Sequence, residues 1–332
     1  MNRPLATFLG LTLAVCASSC GKKDEPAPQA PKAAQTESPK PAAAPEAKAA
    51  DTKASDAQAL ASAPAELGDF GSDEPIERAD LPSRGVISVP IAHDMMANGM
   101  HWDQYNVPFK TTRWGRYKVR LSYTLKNATL GVQFKFGENA LKKQLIVSST
   151  ARQTYIGEIY IPAAGPQFMA LYTPQNVGFN TFYLKAIDLV PTSENPPAEQ
   201  LDAKPLELLA KHATTWSENM RYEPKPEKDC LGFWTDEKDF AEWEFKAAKA
   251  GRYKVSILQG SATGGSEMDV ILGEQKLNFK VPNTGDFHKH AEVQVGEIEI
   301  KTPGVHHLSL KPKTKNGGAI MDVKKVLLQP VS

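Results

Sequence analysis

The sequence predicts an all-β protein: two tandem antiparallel β-sandwich domains that follow a long disordered linker. Three observations lead there. The pentapeptide GRYKV at 115–119 recurs unchanged at 251–255, an offset of 136. Apolar residues in both neighbourhoods alternate with polar ones, the period of a half-buried strand. Turn-forming clusters, AAGP, TPG, NTGD and KNGG, separate these alternating runs.

The repeat is longer than five residues. VPFKTTRWGRYKV (107–119) lies over WEFKAAKAGRYKV (243–255), and FGENALKKQL (136–145) meets LGEQKLNFKV (272–281) at the same offset. IGEIYIPAAG (156–165) then matches VGEIEIKTPG (295–304) at an offset of 139, which holds through LKAIDLVP (184–191) and VKKVLLQP (323–330). Such a period is too long for a solenoid and fits duplication of a whole domain. The boundaries follow: residues 1–19 a signal peptide, 20–80 linker, 81–195 the first sandwich and 204–332 the second.

Within the first copy, Tyr117, Val119, Leu121, Tyr123 and Leu125 fall on one strand face, and Arg116, Lys118, Arg120, Ser122 and Thr124 on the other. In the second, Val293, Val295, Ile298 and Ile300 flank a Gly-Glu step, while Leu308 and Leu310 bracket Ser309. The single helical-looking stretch outside the leader, Pro205–His212, is short.

The N-terminus has a different character. Arg3, a short apolar run and the small residues before Cys20 form a secretory signal, too short to span a bilayer. Ala17-Ser18-Ser19-Cys20 resembles a bacterial lipobox, which implies acylation at Cys20 and a lipid anchor in the cell envelope, at the outer membrane or cell surface rather than the inner membrane. The Ala/Pro/Lys/Glu-rich segment that follows has no hydrophobic period and cannot bury a core. With Cys20 acylated and Cys16 removed, Cys230 is the remaining cysteine, so no internal disulfide is expected.

Residues 81–195 carry 12 Lys and Arg against 6 Asp and Glu, whereas 204–332 carry 19 against 18 and the connector 66–80 is acidic. No basic stripe suggests nucleic acid as a partner. Neither copy holds a G-x-S-x-G elbow, a Walker loop, H-E-x-x-H or paired C-x-x-C, so no enzyme is expected. His288-x-His290 places two imidazoles on one face, but spacing supplies no third ligand, and the pair reads as exposed histidines. Glu242 and Glu244, on either side of Trp243, read as a solvated strand face. No metal and no cofactor are expected.

The aromatic residues supply the candidate site. Trp243 lies over Val107 and reads as core. Trp114 precedes the glycine of GRYKV where the second copy has Ala250, so it is expected to be exposed. Trp102, Trp216 and Trp234 fall in segments whose length differs between copies, as loops do. An exposed indole stacks on the C–H face of a sugar while polar neighbours hold its hydroxyls. Candidate ligand residues are Trp102, Trp114, Tyr222 and Trp234. Arg116, Lys118 and Arg120 are added as a cationic face for anionic glycans.

The second copy, through RYEP, LGFWTDEKDFAEWEF, AGRYKV, GGSEMDVILGEQKL, VGEIEI, PGVHHLSLKP and GGAIMDV, resembles a module appended to sulfatases and other secreted hydrolases of environmental bacteria. That module belongs with the galactose-binding-like jelly rolls, which include many carbohydrate-binding modules. The resemblance covers 206–331 and, through the duplication, 85–191 more loosely. It implies a jelly-roll fold and glycan binding. Calcium sits in related modules between acids on the first and last strands, but Asp188 lies over Leu327, so no metal site carries across. The expected protein is a non-catalytic, lipid-anchored envelope protein that displays two glycan-binding modules; the alternative is a structural adaptor for another envelope protein.

Overall fold

The computed structural model describes residues 81–89, 91, 105–173, 181–202 and 204–331, all within one compact unit, Pro64–Ser332. The leader, Cys20, the linker and Trp102 lie outside the described residues.

Among the described residues the first sandwich has eight strands: β1 Ile87–Val89, β2 Tyr105–Thr111, β3 Gly115–Leu125, β4 Leu130–Phe136, β5 Asn139–Leu145, β6 Ser148–Ile161, β7 Gly165–Tyr172 and β8 Phe182–Pro191. They form two four-stranded antiparallel sheets, ordered β1-β8-β3-β6 and β2-β7-β4-β5. The second sandwich adds short strands to the same plan. Its elements are β9 Ala198–Glu199, β10 Leu206–Leu209, a 3-10 turn at Ala210–His212, β11 Ala213–Trp216, β12 Arg221–Glu223 and β13 Cys230–Gly232. The longer strands follow: β14 Phe240–Ala247, β15 Gly251–Gly260, β16 Glu267–Leu272, β17 Gln275–Lys280, β18 Ala291–Ile300, β19 Gly304–Thr314 and β20 Asp322–Pro330. Within its sheets runs the order β10-β20-β15-β18 on one side and β14-β19-β16-β17 on the other, the same as in the first sandwich.

Register agrees as well as order. Tyr117 lies opposite Pro191, and Tyr253 opposite Pro330. Each GRYKV strand shifts register after its valine: Val119 faces Gly157 and Val255 faces Gly296 before an extra residue, Ile156 or Val295, bulges out of the partner strand. These glycines have φ of +139° and +151°, a region closed to side chains, and a Cβ there would press on Leu141 or Leu277. The Gly-Glu step in the sequence is therefore the signature of a bulge.

Alternation delivers the cores. Tyr117, Val119, Leu121, Tyr123 and Leu125 are at most 1% exposed and join Phe134, Ile159 and Phe182 in one cluster. The second cluster centres on Trp234, Trp243, Phe245, Tyr253, Val255 and Ile257. Each large apolar side chain buried in this way contributes about 1.5–3 kcal/mol. Each sandwich thus closes on its own core. Where a helical stretch was expected, at Pro205–His212, the chain forms β10 and a single 3-10 turn, because Leu206 and Leu208 are drawn into the sheet beside β20. No helix among the described residues is long and apolar enough to cross a membrane.

The segment between the sandwiches is not a free tether. Ala198 and Glu199 pair in parallel with Phe245 and Lys246, the exception to the antiparallel pattern. Gln200 accepts hydrogen bonds from the Ala248 amide and the Tyr253 hydroxyl.

Candidate functional site

The two sandwiches meet where the β2–β3 turn, Thr112-Arg113-Trp114, enters the second sandwich. Arg113 is 4% exposed. Its Nη1 donates to Thr215 Oγ1 at 2.6 Å and to the Met220 carbonyl at 2.8 Å, while Nη2 donates to the Thr215 carbonyl at 3.0 Å. The guanidinium also lies 5.5 Å from the Tyr117 ring centroid, so one side chain ties the core of one sandwich to the strand ends of the other. Thr112 donates its hydroxyl to the Glu218 carbonyl. Arg84 adds a second clamp: Nε reaches Asp239 at 2.7 Å, Nη1 Glu218 at 3.1 Å and Nη2 Asp236 at 2.5 Å. The hydrogen bond to Asp239 raises the Arg84 pKa, and the fully buried Asp239 is in turn held by Ser217 Oγ at 2.6 Å.

Around this joint the aromatics collect. Trp114 is half-buried, and its Nε1 donates to the Tyr222 carbonyl at 3.1 Å. Its ring meets Phe233 edge-on at 6.1 Å. The Arg221 guanidinium lies against both rings, 3.9 Å from the Trp114 centroid and 3.4 Å from that of Phe233, a cation–π contact shared by two aromatics. Burial lowers the Arg221 pKa. The Tyr222 hydroxyl donates to Asp229 Oδ1 at 2.6 Å, and its pKa is pushed up, first by burial and then by that carboxylate. From the first sandwich, Glu194 accepts the Arg116 amide at 3.2 Å, and Tyr160 sits opposite Arg116 on the neighbouring strand. Burial raises the pKa of Glu194, opposed by Arg116.

Three large aromatic rings among the described residues are exposed: Phe168, Phe233 at 41% and Tyr160 at 38%. Phe233 belongs to this junction, and Tyr160 lies opposite Arg116. Phe233 has φ of +62° and Asp229 φ of +42°, left-handed conformations that cost a non-glycine residue energy and that bracket β13.

Of the predicted residues, the junction brings together Trp114, Tyr222 and Arg116. Trp234 is a correction. It is fully buried in the second core and donates Nε1 to the Asp239 carbonyl at 3.1 Å. The reversed φ at Phe233 turns the chain over just after β13, so residue 233 points out and 234 points in. Trp114, expected in the open, is half covered by Arg221 and Phe233. Trp216 is buried and stacked on Phe240, and Trp243 is core as expected. Arg116, Lys118 and Arg120 do share the outer face of β3. Arg120 is committed to Asp188 at 2.9 Å, however, and Arg116 has carboxylate oxygens of Glu194 and Glu158 at 3.7 and 3.9 Å. Lys118 is exposed, its ammonium 5.8 Å from the Tyr155 ring. Glu242 is buried at 8% rather than solvated, because Ser309 and His307 cover it. Sequence reasoning missed Arg113, Arg221 and Phe233. The one signal for the first was a bulky Arg-Trp in a turn where the sister copy has Lys-Ala.

A second polar group lies behind Tyr222. Glu223, Cys230 and Asp322 are all buried, with potential ligand atoms within 4.8 Å of one another. Lys228 Nζ is 2.6 Å from Glu223 Oε1, and His288 Nδ1 is 3.8 Å from Asp322 Oδ2. Burial, then the Glu223 charge, raises the Asp322 pKa to about 7, and burial pushes the Cys230 thiol well above its usual range.

Residues 212–332 match a family described as "Domain of unknown function (DUF5077)". The comparison with curated proteins found no match. Among solved structures, the chain is similar to the C-terminal CBM6 of the marine laminarinase LamC from Zobellia galactanivorans, at 18% identity and a TM-score of 0.31, covering 38% of this chain and 99% of that one. It is similar to a family 35 carbohydrate-binding module from Clostridium thermocellum, at 15% identity and a TM-score of 0.32, covering 39% and 100%. A Podospora anserina GH26-CBM35 β-(1,4)-mannanase matches at 14% identity and a TM-score of 0.30, covering 39% of this chain and 28% of the mannanase.

Proposed function

We propose that the protein is a non-catalytic, lipid-anchored protein of the cell envelope that binds a glycan at the junction of its two sandwiches. The observation that carries this reading is the joint itself: Trp114 from one copy and the exposed Phe233 from the other close on Arg221, and exposed Tyr160 lies opposite Arg116 on the first copy. Rings for C–H stacking stand beside Arg116, Glu194, Tyr222 and Asp229, whose charges and hydroxyl suit sugar hydroxyls. The motif resemblance to galactose-binding-like jelly rolls supports the same reading.

An anionic polymer, sulfated or rich in uronate, is the ligand class we favour. Residues 81–195 are basic, and Arg116 lies beyond hydrogen-bond range of its two carboxylates, so it is open to bidentate capture of sulfate or carboxylate. Arg120 is not. The lipid anchor rests on the lipobox-like Ala17–Cys20 alone. Retardation of the full chain in native gels cast with neutral or sulfated polysaccharides tests the proposal. Retardation by the sulfated polymer that weakens with added salt is expected. Equal mobility in every gel would sink it.

A further inference from the structure

The cluster behind Tyr222 raises a question of charge. Glu223, Cys230 and Asp322 are 7%, 0% and 6% exposed, so two carboxylates and a thiol are withdrawn from water together. One ammonium, Lys228, sits against Glu223. Asp322 has no comparable partner. Its Oδ2 meets the Cys230 sulfur at 3.7 Å and His288 Nδ1 at 3.8 Å. Two buried carboxylates that share one ammonium are costly unless a further cation balances them.

Two further features point to an occupant. Gly232 lets the two carboxylates converge: a Cβ at this position would collide with Glu223 Oε2 and come within 3.5 Å of Asp322 Oδ1, so one oxygen of each carboxylate is turned to the same backbone atom. The strand pairing is also thin. β13 is registered with β20 through one pair, Leu231 opposite Val323, and β12 hangs on β13 by three residues, yet this hairpin carries Arg221, Tyr222 and Phe233. A tie between β12, β13 and β20 is what it lacks.

We propose that Glu223, Cys230 and Asp322, with His288 as the fourth donor, form a site for a divalent cation of the zinc class. Sulfur, carboxylate oxygen and imidazole nitrogen in one set suit Zn²⁺, whereas the hard cation Ca²⁺ avoids thiolate. On binding, the Cys230 thiol gives its proton to solvent and ligates as thiolate. Lys228, 26% exposed, leaves Glu223 Oε1 and turns to water. The role is structural: three strands and the His288 loop are pinned under the aromatic junction. The site does not depend on what the junction binds. Among the described residues the first sandwich has no counterpart, since Tyr183 takes the register position of Asp322.

Cobalt(II) serves as the spectroscopic probe, in the chelator-treated full chain with Cys16→Ser and Cys20→Ser so that Cys230 is the remaining thiol. The expected result is one equivalent of Co²⁺ bound with thiolate charge-transfer absorption, displaced by Zn²⁺, and a higher melting temperature with Zn²⁺ than with chelator. Cys230→Ser should abolish the absorption, and the isosteric Asp322→Asn should weaken Zn²⁺ binding at least about tenfold. Absence of the absorption in a chain with native circular dichroism would overturn the proposal. So would an absorption that survives Cys230→Ser, or stabilisation by Ca²⁺ and not Zn²⁺.

Discussion

The two sandwiches share strand order, register and bulges, and differ where chemistry collects. At the β2–β3 turn the first copy has Thr112-Arg113-Trp114, which plugs into its neighbour, while the equivalent turn of the second is Ala248-Lys249-Ala250. At the other end of the comparison, the second copy carries the β12–β13 hairpin on the edge of β20. Duplication preserved the scaffold, because order, register and the Gly157/Gly296 bulges are set by sterics and by cores worth many kcal/mol. The copies diverge at one turn and one edge, where a changed residue costs little of that core. Each copy supplies residues to the junction: Arg113 and Trp114 from the first, Arg221 and Phe233 from the second.

That comparison can be broken at graded depths. Trp234→Ala empties the centre of the second core and should cost about 3–5 kcal/mol in chemical denaturation. A loss below about 1 kcal/mol would return Trp234 to the surface reading. Arg113→Ala removes three hydrogen bonds at the joint and leaves buried acceptors on Thr215 and Met220, a loss of about 3 kcal/mol. The matching change in the second copy, Lys249→Ala, should be within about 0.5 kcal/mol. Equal effects would mean that the turns are equivalent and the joint incidental. Smallest is the β3 face. Lys118→Ala should leave stability within about 0.5 kcal/mol, because its ammonium is exposed and weakly placed over Tyr155.

The architecture was legible because period-two alternation and a 136-residue offset are direct consequences of strand geometry and duplication. The site was less so. Trp234 looked like a loop aromatic, since nothing in LGFWTD reveals that Phe233 adopts a positive φ and hands the inward position to its neighbour. Arg120 looked free because its partner, Asp188, lies 68 residues away and becomes adjacent when β3 pairs with β8. His288 looked isolated in sequence for the same reason: Asp322 reaches it from β20. Trp114 and Tyr222 were found by residue type, but their meeting depends on how one sandwich enters the other, which alternation does not encode.

The central claim is that one ligand surface is built from both copies, and paired substitutions measure it most directly. Calorimetric titration of a polysaccharide that retards the full chain would be repeated with Tyr160→Ala, from the first sandwich, and Phe233→Ala, from the second. Loss of a stacking ring should weaken binding roughly tenfold in each variant with the fold intact. Binding that falls in one variant and is untouched in the other, or that survives both, would show that the junction is a structural joint and not the shared site.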